Sequence, residues 1–268
     1  MPWLASIAFY LGVIAYSAAA TFFFLDLLRP APHRAGAGPS LLAAGAVSHA
    51  AHLVVAGWVS QTCPVGSLHF ALGVSAIIAV AAFLAVRRRF RLDAVGSLIA
   101  PLALILLLSA EFMSLGPTIS GELPRGLLLL HIAANVLGFG LFLLAGASGA
   151  VYVFEERRLK RKRLGSLSKL PPLASLDRVA HRLLLVGFPL LTFGVVTGSM
   201  FLDQLGHASA DTVLRSLLGY LSWFLLALVL LLRRVSGFSG RRAAYGTLAG
   251  VTCVLLVVLV YVFRISPG

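Results

Sequence analysis

The sequence predicts an all-α membrane protein: one domain, residues 1–268, folded as a bundle of about eight transmembrane helices with both termini outside. Hydrophobic residues make up 59% of the chain and charged residues only 12%, whereas soluble domains carry about 25% charged residues. Apolar runs long enough to cross the roughly 30 Å hydrocarbon layer recur along the whole chain. Because the bilayer core holds no water to satisfy backbone groups, these runs must be helices.

Run length places the helices in order along the chain. The predicted spans are residues 3–28, 40–60, 67–86, 94–112, 127–153, 181–202, 213–232 and 243–263. The first run is longer than the apolar region of a signal peptide and follows no basic residue, so we expect it to be a retained span. The connections are short except for the Gly- and Pro-containing segment 113–126 and the basic segment 154–180. Glycines recur in the fifth and sixth spans, where they predict close packing between helices.

Positive charge orients the predicted bundle. All Lys and Arg residues fall on one side of it except Arg125, Arg215 and Arg264. Such residues accumulate in cytoplasmic loops, which places both termini outside; we expect a multi-pass protein of the bacterial inner membrane. The net charge of +13 is therefore a topology signal that contacts anionic lipid of the inner leaflet. We expect no nucleic-acid partner.

Histidines are the candidate functional residues. Five of the seven histidines are predicted to lie between mid-membrane and the outer face: His49, His52, His69, His131 and His207. Ionisable groups within a membrane are costly and usually functional. Neutral imidazole is a good axial ligand for haem iron, so these residues predict a haem cofactor. The alternative is that each imidazole makes a polar contact between helices.

Two further residues are weaker, supporting candidates. Asn135 lies one turn below His131 on the same helix face, where it can bond that imidazole or a neighbouring helix. Asp203 ends the sixth span and can orient an imidazole by accepting its second ring proton. The two cysteines form no CxxC pair, and the chain contains no HExxH, phosphate loop or Ser–His–Asp arrangement. We therefore expect no enzyme activity.

Three stretches resemble the cytochrome c assembly family of membrane proteins, the group that includes CcsA and HemX. They are LHIAANVLGFGLFLLAGASGAVYVFEERRLK, LDRVAHRLLLVGFPLLTFGVVTGSM and GFSGRRAAYGTLAG. Cytochrome c synthase members carry a tryptophan-rich segment, WGxxWxWD, between the sixth and seventh helices. Here that region reads DQLGHASADTVLRSL, without tryptophan. The chain is therefore more similar to the HemX/YpjD-type branch.

The resemblance implies that the protein handles haem, suspected to be b-type, at the outer membrane face. His131 stands at the position of a family haem ligand, so the iron would be bound through His131. His49, with His52 as second choice, stands near the family histidine of the second helix. His207 is a weaker outer candidate, and His69 is a supporting one.

The resemblance leaves three functions open. The first is a haem-binding component of cytochrome c biogenesis that works with a cytochrome c assembly partner. The second is a HemX-like regulator of tetrapyrrole synthesis that acts on a haem-biosynthesis enzyme through segment 154–180. The third is a small-molecule permease.

Overall fold

The structure, a computed structural model, describes residues 2–28, 36–60, 67–90, 92–111, 125–161, 171–204 and 210–265. The helices are α1 (Pro2–Leu28), α2 (Ala37–Ser60), α3 (Leu68–Phe90), α4 (Gly96–Glu111), α5 (Arg125–Lys160), α6 (Leu173–Gln204), α7 (Ala210–Ser236) and α8 (Arg241–Ile265). Within these ranges, seven helices are long and apolar enough to cross a membrane. The eighth, α4, is shorter, and its apolar stretch, Asp93–Ser109, includes the helical turn that precedes it. The predicted fold class, an all-α polytopic membrane bundle, is confirmed.

The connection predicted at 154–180 is largely helical, so that prediction is wrong at both of its ends. Helix α5 continues to Lys160 and α6 already begins at Leu173. Lys160 Nζ lies 2.8 Å from Glu156 Oε1, one turn earlier on α5. Basic residues in a last turn also interact favourably with the helix dipole. Apolar run length misses such extensions because charged side chains stabilise them outside the hydrocarbon layer.

The helices pack as two successive groups, α1–α4 and α5–α8, which are joined where α3 meets α5. Gly140 on α5 allows this close approach, because a Cβ atom there would lie 2.8 Å from the backbone oxygen of Ser75 on α3. The Ser75 hydroxyl donates to the backbone oxygen of Val136 at 3.1 Å. Helix α3 is therefore fixed directly against the helix that carries His131.

Asp177 joins three helices at the end of the bundle where the basic residues collect. Its carboxylate accepts two bonds from the Arg233 guanidinium, at 2.8 and 2.5 Å, and one from the Gly240 backbone N–H at 3.2 Å. Gly240 has a φ of +69°, a conformation that favours glycine. Nearby, the Arg157 guanidinium donates to the Tyr245 hydroxyl at 2.9 Å. We call this end of the bundle the inner end and the opposite end the outer end.

Candidate functional site

His131 lies in the outer part of α5 and contacts α6 through its side chain. The half-buried ring places Nδ1 2.6 Å from Thr197 Oγ1 on α6. Asn135, one turn further along α5, places Nδ2 3.2 Å from His131 Nε2 and donates to the His131 backbone oxygen at 2.8 Å. Of the two partners that the sequence left open for Asn135, the structure has the imidazole, and the role of Asn135 in a site stays a prediction. We call these three residues the His131 cluster.

Gly194 of α6 leaves room for the His131 cluster, whereas Gly198 lies beside it without close contact. A Cβ atom at Gly194 would overlap Asn135 Oδ1, and one at Gly198 would lie 3.6 Å from His131 Cε1. The sequence predicted only close helix packing for the glycines of α6. Thr197 itself was missed, although its spacing from Gly194 and Gly198 places all three residues on one face of the helix.

A second group of imidazoles, His49, His52 and His69, lies between α1, α2 and α3, and we call it the His49 cluster. His49 and His52 are buried, with 0% and 4% of their surfaces exposed. The Tyr16 hydroxyl lies 3.4 Å from His49 Nδ1, and His52 Nδ1 lies 3.0 Å from the backbone oxygen of Ala5. The His52 and His69 ring centroids are 5.8 Å apart. The structure thus brings three of the predicted histidines together.

His49 Nε2 is buried and has no hydrogen-bond partner among the described residues. Buried polar atoms are nearly always paired, so this nitrogen keeps an unused bonding capacity, as does Nδ1 of His181. His49 Nε2 faces the α3 backbone, since a Cβ atom added at Gly73 would lie 3.0 Å from it. A flat macrocycle therefore has no room in front of His49 unless α2 and α3 move apart.

Helix α3 connects the two clusters. Its Gly73 faces His49, and its Ser75 bonds to Val136, the neighbour of Asn135 in the chain. No group of three or more His, Cys, Asp or Glu residues in the described part of the chain is arranged to hold a metal ion.

Two crevices between the described helices lie away from both clusters. One lies at the inner end and is lined by Tyr152, Asp177, His181 and Arg233, among others. The other is lined by alanine and larger aliphatic side chains of α3, α4 and α5. His207 lies outside the described residues, and so does the side chain of Asp203. The assignment of iron ligands to particular histidines therefore stays a prediction.

Comparison with known proteins identifies relatives of the whole bundle. The family model described as Cytochrome C assembly protein matches residues 41–265. Protein HemX of Bacillus subtilis is 25% identical over 263 residues, which cover 93% of this chain and 91% of HemX. Inner membrane protein YpjD of Escherichia coli K12 is 27% identical over 154 residues, 58% of this chain and 57% of YpjD. Cytochrome c biogenesis protein CcsA of Chlamydomonas reinhardtii is 23% identical over 176 residues, which cover 62% of this chain and 48% of CcsA. No solved structure matches the chain.

Proposed function

Because the chain belongs to the cytochrome c assembly protein family, we propose that it binds haem near the outer end of the bundle. It would do so as a component of cytochrome c biogenesis in the bacterial inner membrane, with no catalytic step of its own. The observation that supports this most strongly is the His131 cluster. There an imidazole in the outer part of a spanning helix is held by the side chains of Thr197 and Asn135.

The residues at His131 fit haem in their donor chemistry. A bound haem would supply an iron centre, and His131 would hold that iron through a neutral imidazole nitrogen. His131 is half-buried, so its ring is within reach of a ligand at the edge of the bundle. His49 and His52 are further candidate ligands in the proposal. Haem could reach them only after α2 and α3 had separated.

Haem titration of the purified protein in mild detergent tests this proposal. We expect a Soret band that weakens in His131→Ala, and a smaller loss in the His49→Ala/His52→Ala double variant. His181→Ala is the matched control, because His181 lies on the same bundle but lines the inner crevice. Haem binding that is unchanged in both His131→Ala and the double variant rejects the site.

The similarity to HemX, which covers 93% of this chain, is compatible with the second function that the sequence resemblance left open, a membrane regulator of tetrapyrrole synthesis. Such a regulator would act on a soluble haem-biosynthesis enzyme through the basic segment between α5 and α6. Shortening residues 162–170 tests this, because it spares the ion pairs of α5 and α6. The regulator predicts altered abundance of the enzyme with haem binding unchanged, whereas the first proposal predicts unaltered abundance. No contact among the described residues favours a permease.

A further inference from the structure

We propose that Thr197 is a positioning residue that fixes the ring proton of His131 on Nδ1 and so presents Nε2 as the ligating nitrogen. In the ligand-free protein, the Asn135 amide covers that Nε2. This inference rests on the proposed haem function for its purpose. Its geometry concerns only side chains of this chain, so it can be tested with and without haem.

The Thr197 hydroxyl has a single proton to donate. Its oxygen lies 2.6 Å from the backbone oxygen of Phe193 and 3.3 Å from that of Gly194, and carbonyl oxygens only accept. The hydroxyl proton is therefore used within α6. At 2.6 Å from His131 Nδ1, the same oxygen must then act as acceptor, and Nδ1 must carry the ring proton.

Asn135 independently indicates the same tautomer. Its amide nitrogen has two protons, and one is donated to the His131 backbone oxygen at 2.8 Å. The other is available to His131 Nε2 at 3.2 Å, which requires a lone pair on that nitrogen. A neutral imidazole with its proton on Nδ1 has that lone pair on Nε2. Both neighbours of the ring are thus satisfied by one proton arrangement.

The two contacts of the ring differ in strength and in consequence. The 2.6 Å contact with Thr197 accepts the ring N–H and so orients the imidazole, as the outer partners of metal-ligating histidines do. The 3.2 Å contact from Asn135 is the longer one and occupies the lone pair that a metal needs. Gly194 leaves room for the amide in this orientation, because a Cβ atom there would overlap Asn135 Oδ1. A ligand at Nε2 must therefore displace the amide while Thr197 keeps the ring in place.

The tautomer can be measured by ¹⁵N NMR of histidine-labelled protein in detergent without added haem. The His131 signals are identified by their loss in His131→Gln. We expect a proton on Nδ1 in the wild type and in Thr197→Ser, and a mixed or reversed tautomer in Thr197→Val. A wild-type proton on Nε2, or an unchanged tautomer in Thr197→Val, overturns the inference.

Haem titration provides the second readout. Replacement of residues that orient metal ligands typically lowers affinity about 10- to 100-fold, and we expect a loss of this size in Thr197→Val and recovery in Thr197→Ser. Thr192→Val is the matched control, since the Thr192 hydroxyl contacts Phe188 and Trp223 instead. Asn135→Ala should tighten binding about 2- to 10-fold, the equivalent of one net hydrogen bond. Equal affinity in wild type and Thr197→Val, or weaker binding in Asn135→Ala, contradicts the inference.

The two readouts separate the inference from the proposed function. If the wild type binds no haem, the proposed function fails, while the tautomer experiment still decides the role of Thr197. If the wild type binds haem and His131→Ala does not, but Thr197→Val matches the wild type in both readouts, only the inference fails.

Discussion

Replacing Asp177 with alanine should destabilise the inner end of the bundle. The carboxylate accepts two bonds from Arg233, at 2.8 and 2.5 Å, and a third from the backbone of Gly240. Only 18% of the Asp177 side chain and 17% of the Arg233 side chain are exposed. Removing one partner of a buried ion pair costs about 3–5 kcal/mol. Because part of each side chain reaches solvent, we expect about 3 kcal/mol, the lower end of that range.

The assay is thermal unfolding in detergent, and the measured quantity is the fraction of protein that remains monodisperse at each temperature. A loss of about 3 kcal/mol corresponds to a fall in melting temperature of about 6–12 °C for a chain of this size. Asp93→Ala is the control. Its partner Arg87 lies at a similar distance, 2.8 Å, but the Asp93 side chain is 62% exposed. Exposed pairs contribute about 0–1 kcal/mol, so this variant should melt close to the wild type.

A double-mutant cycle separates the pair from the packing around it. Arg233→Leu combined with Asp177→Ala should be less destabilised than the sum of the single variants, because neither charge then lacks its partner. A coupling energy of about 2 kcal/mol is expected for residues in such direct contact. Strict additivity of the two single variants would refute the interpretation that this ion pair holds α6 and α7 together.

Three more substitutions test other contacts of the bundle. Gly140→Leu should prevent assembly of the bundle, because even a Cβ atom there would lie 2.8 Å from the α3 backbone. Gly219→Leu is its control and should purify as a single species, because the space around Gly219 is open. Equal yields of the two purified variants would contradict this prediction. Gly194→Ala should displace the Asn135 amide that covers His131 Nε2 and so tighten haem binding in titration; unchanged affinity together with an unchanged ¹⁵N spectrum would count against the close packing. Tyr16→Phe removes only the 3.4 Å contact between the Tyr16 hydroxyl and His49 Nδ1. The melting temperature of this variant should therefore fall less than the melting temperature of Asp177→Ala.

The sequence predicted the helices well because the hydrocarbon layer imposes a minimum length on each apolar run. Seven long apolar helices and one shorter helix occur in the described residues, in the predicted order. The inner extensions of α5 and α6 were missed because they depend on charged side chains such as Glu156 and Lys160. Hydropathy alone assigns such residues to connections.

The candidate site was predictable only where it depends on local spacing. Asn135 follows His131 by one helical turn, so the periodicity of α5 made their contact one of two predicted possibilities. Thr197 is 66 positions from His131, and no sequence pattern specifies how α6 is rotated against α5. The same holds for Asp177, whose partner Arg233 is 56 positions away. The placement of His49 Nε2 against Gly73 likewise depends on how α2 and α3 pack.

The haem content of the protein purified from cells tests the central claim most directly. Wild type, His131→Ala and His181→Ala should be purified side by side, and their Soret absorbance compared at equal protein concentration. We expect a clear Soret band in the wild type and in His181→Ala, and a strongly reduced one in His131→Ala. Equal bands in all three proteins, or none in the wild type even after haem is added, would contradict the role assigned to the imidazole in the outer part of α5.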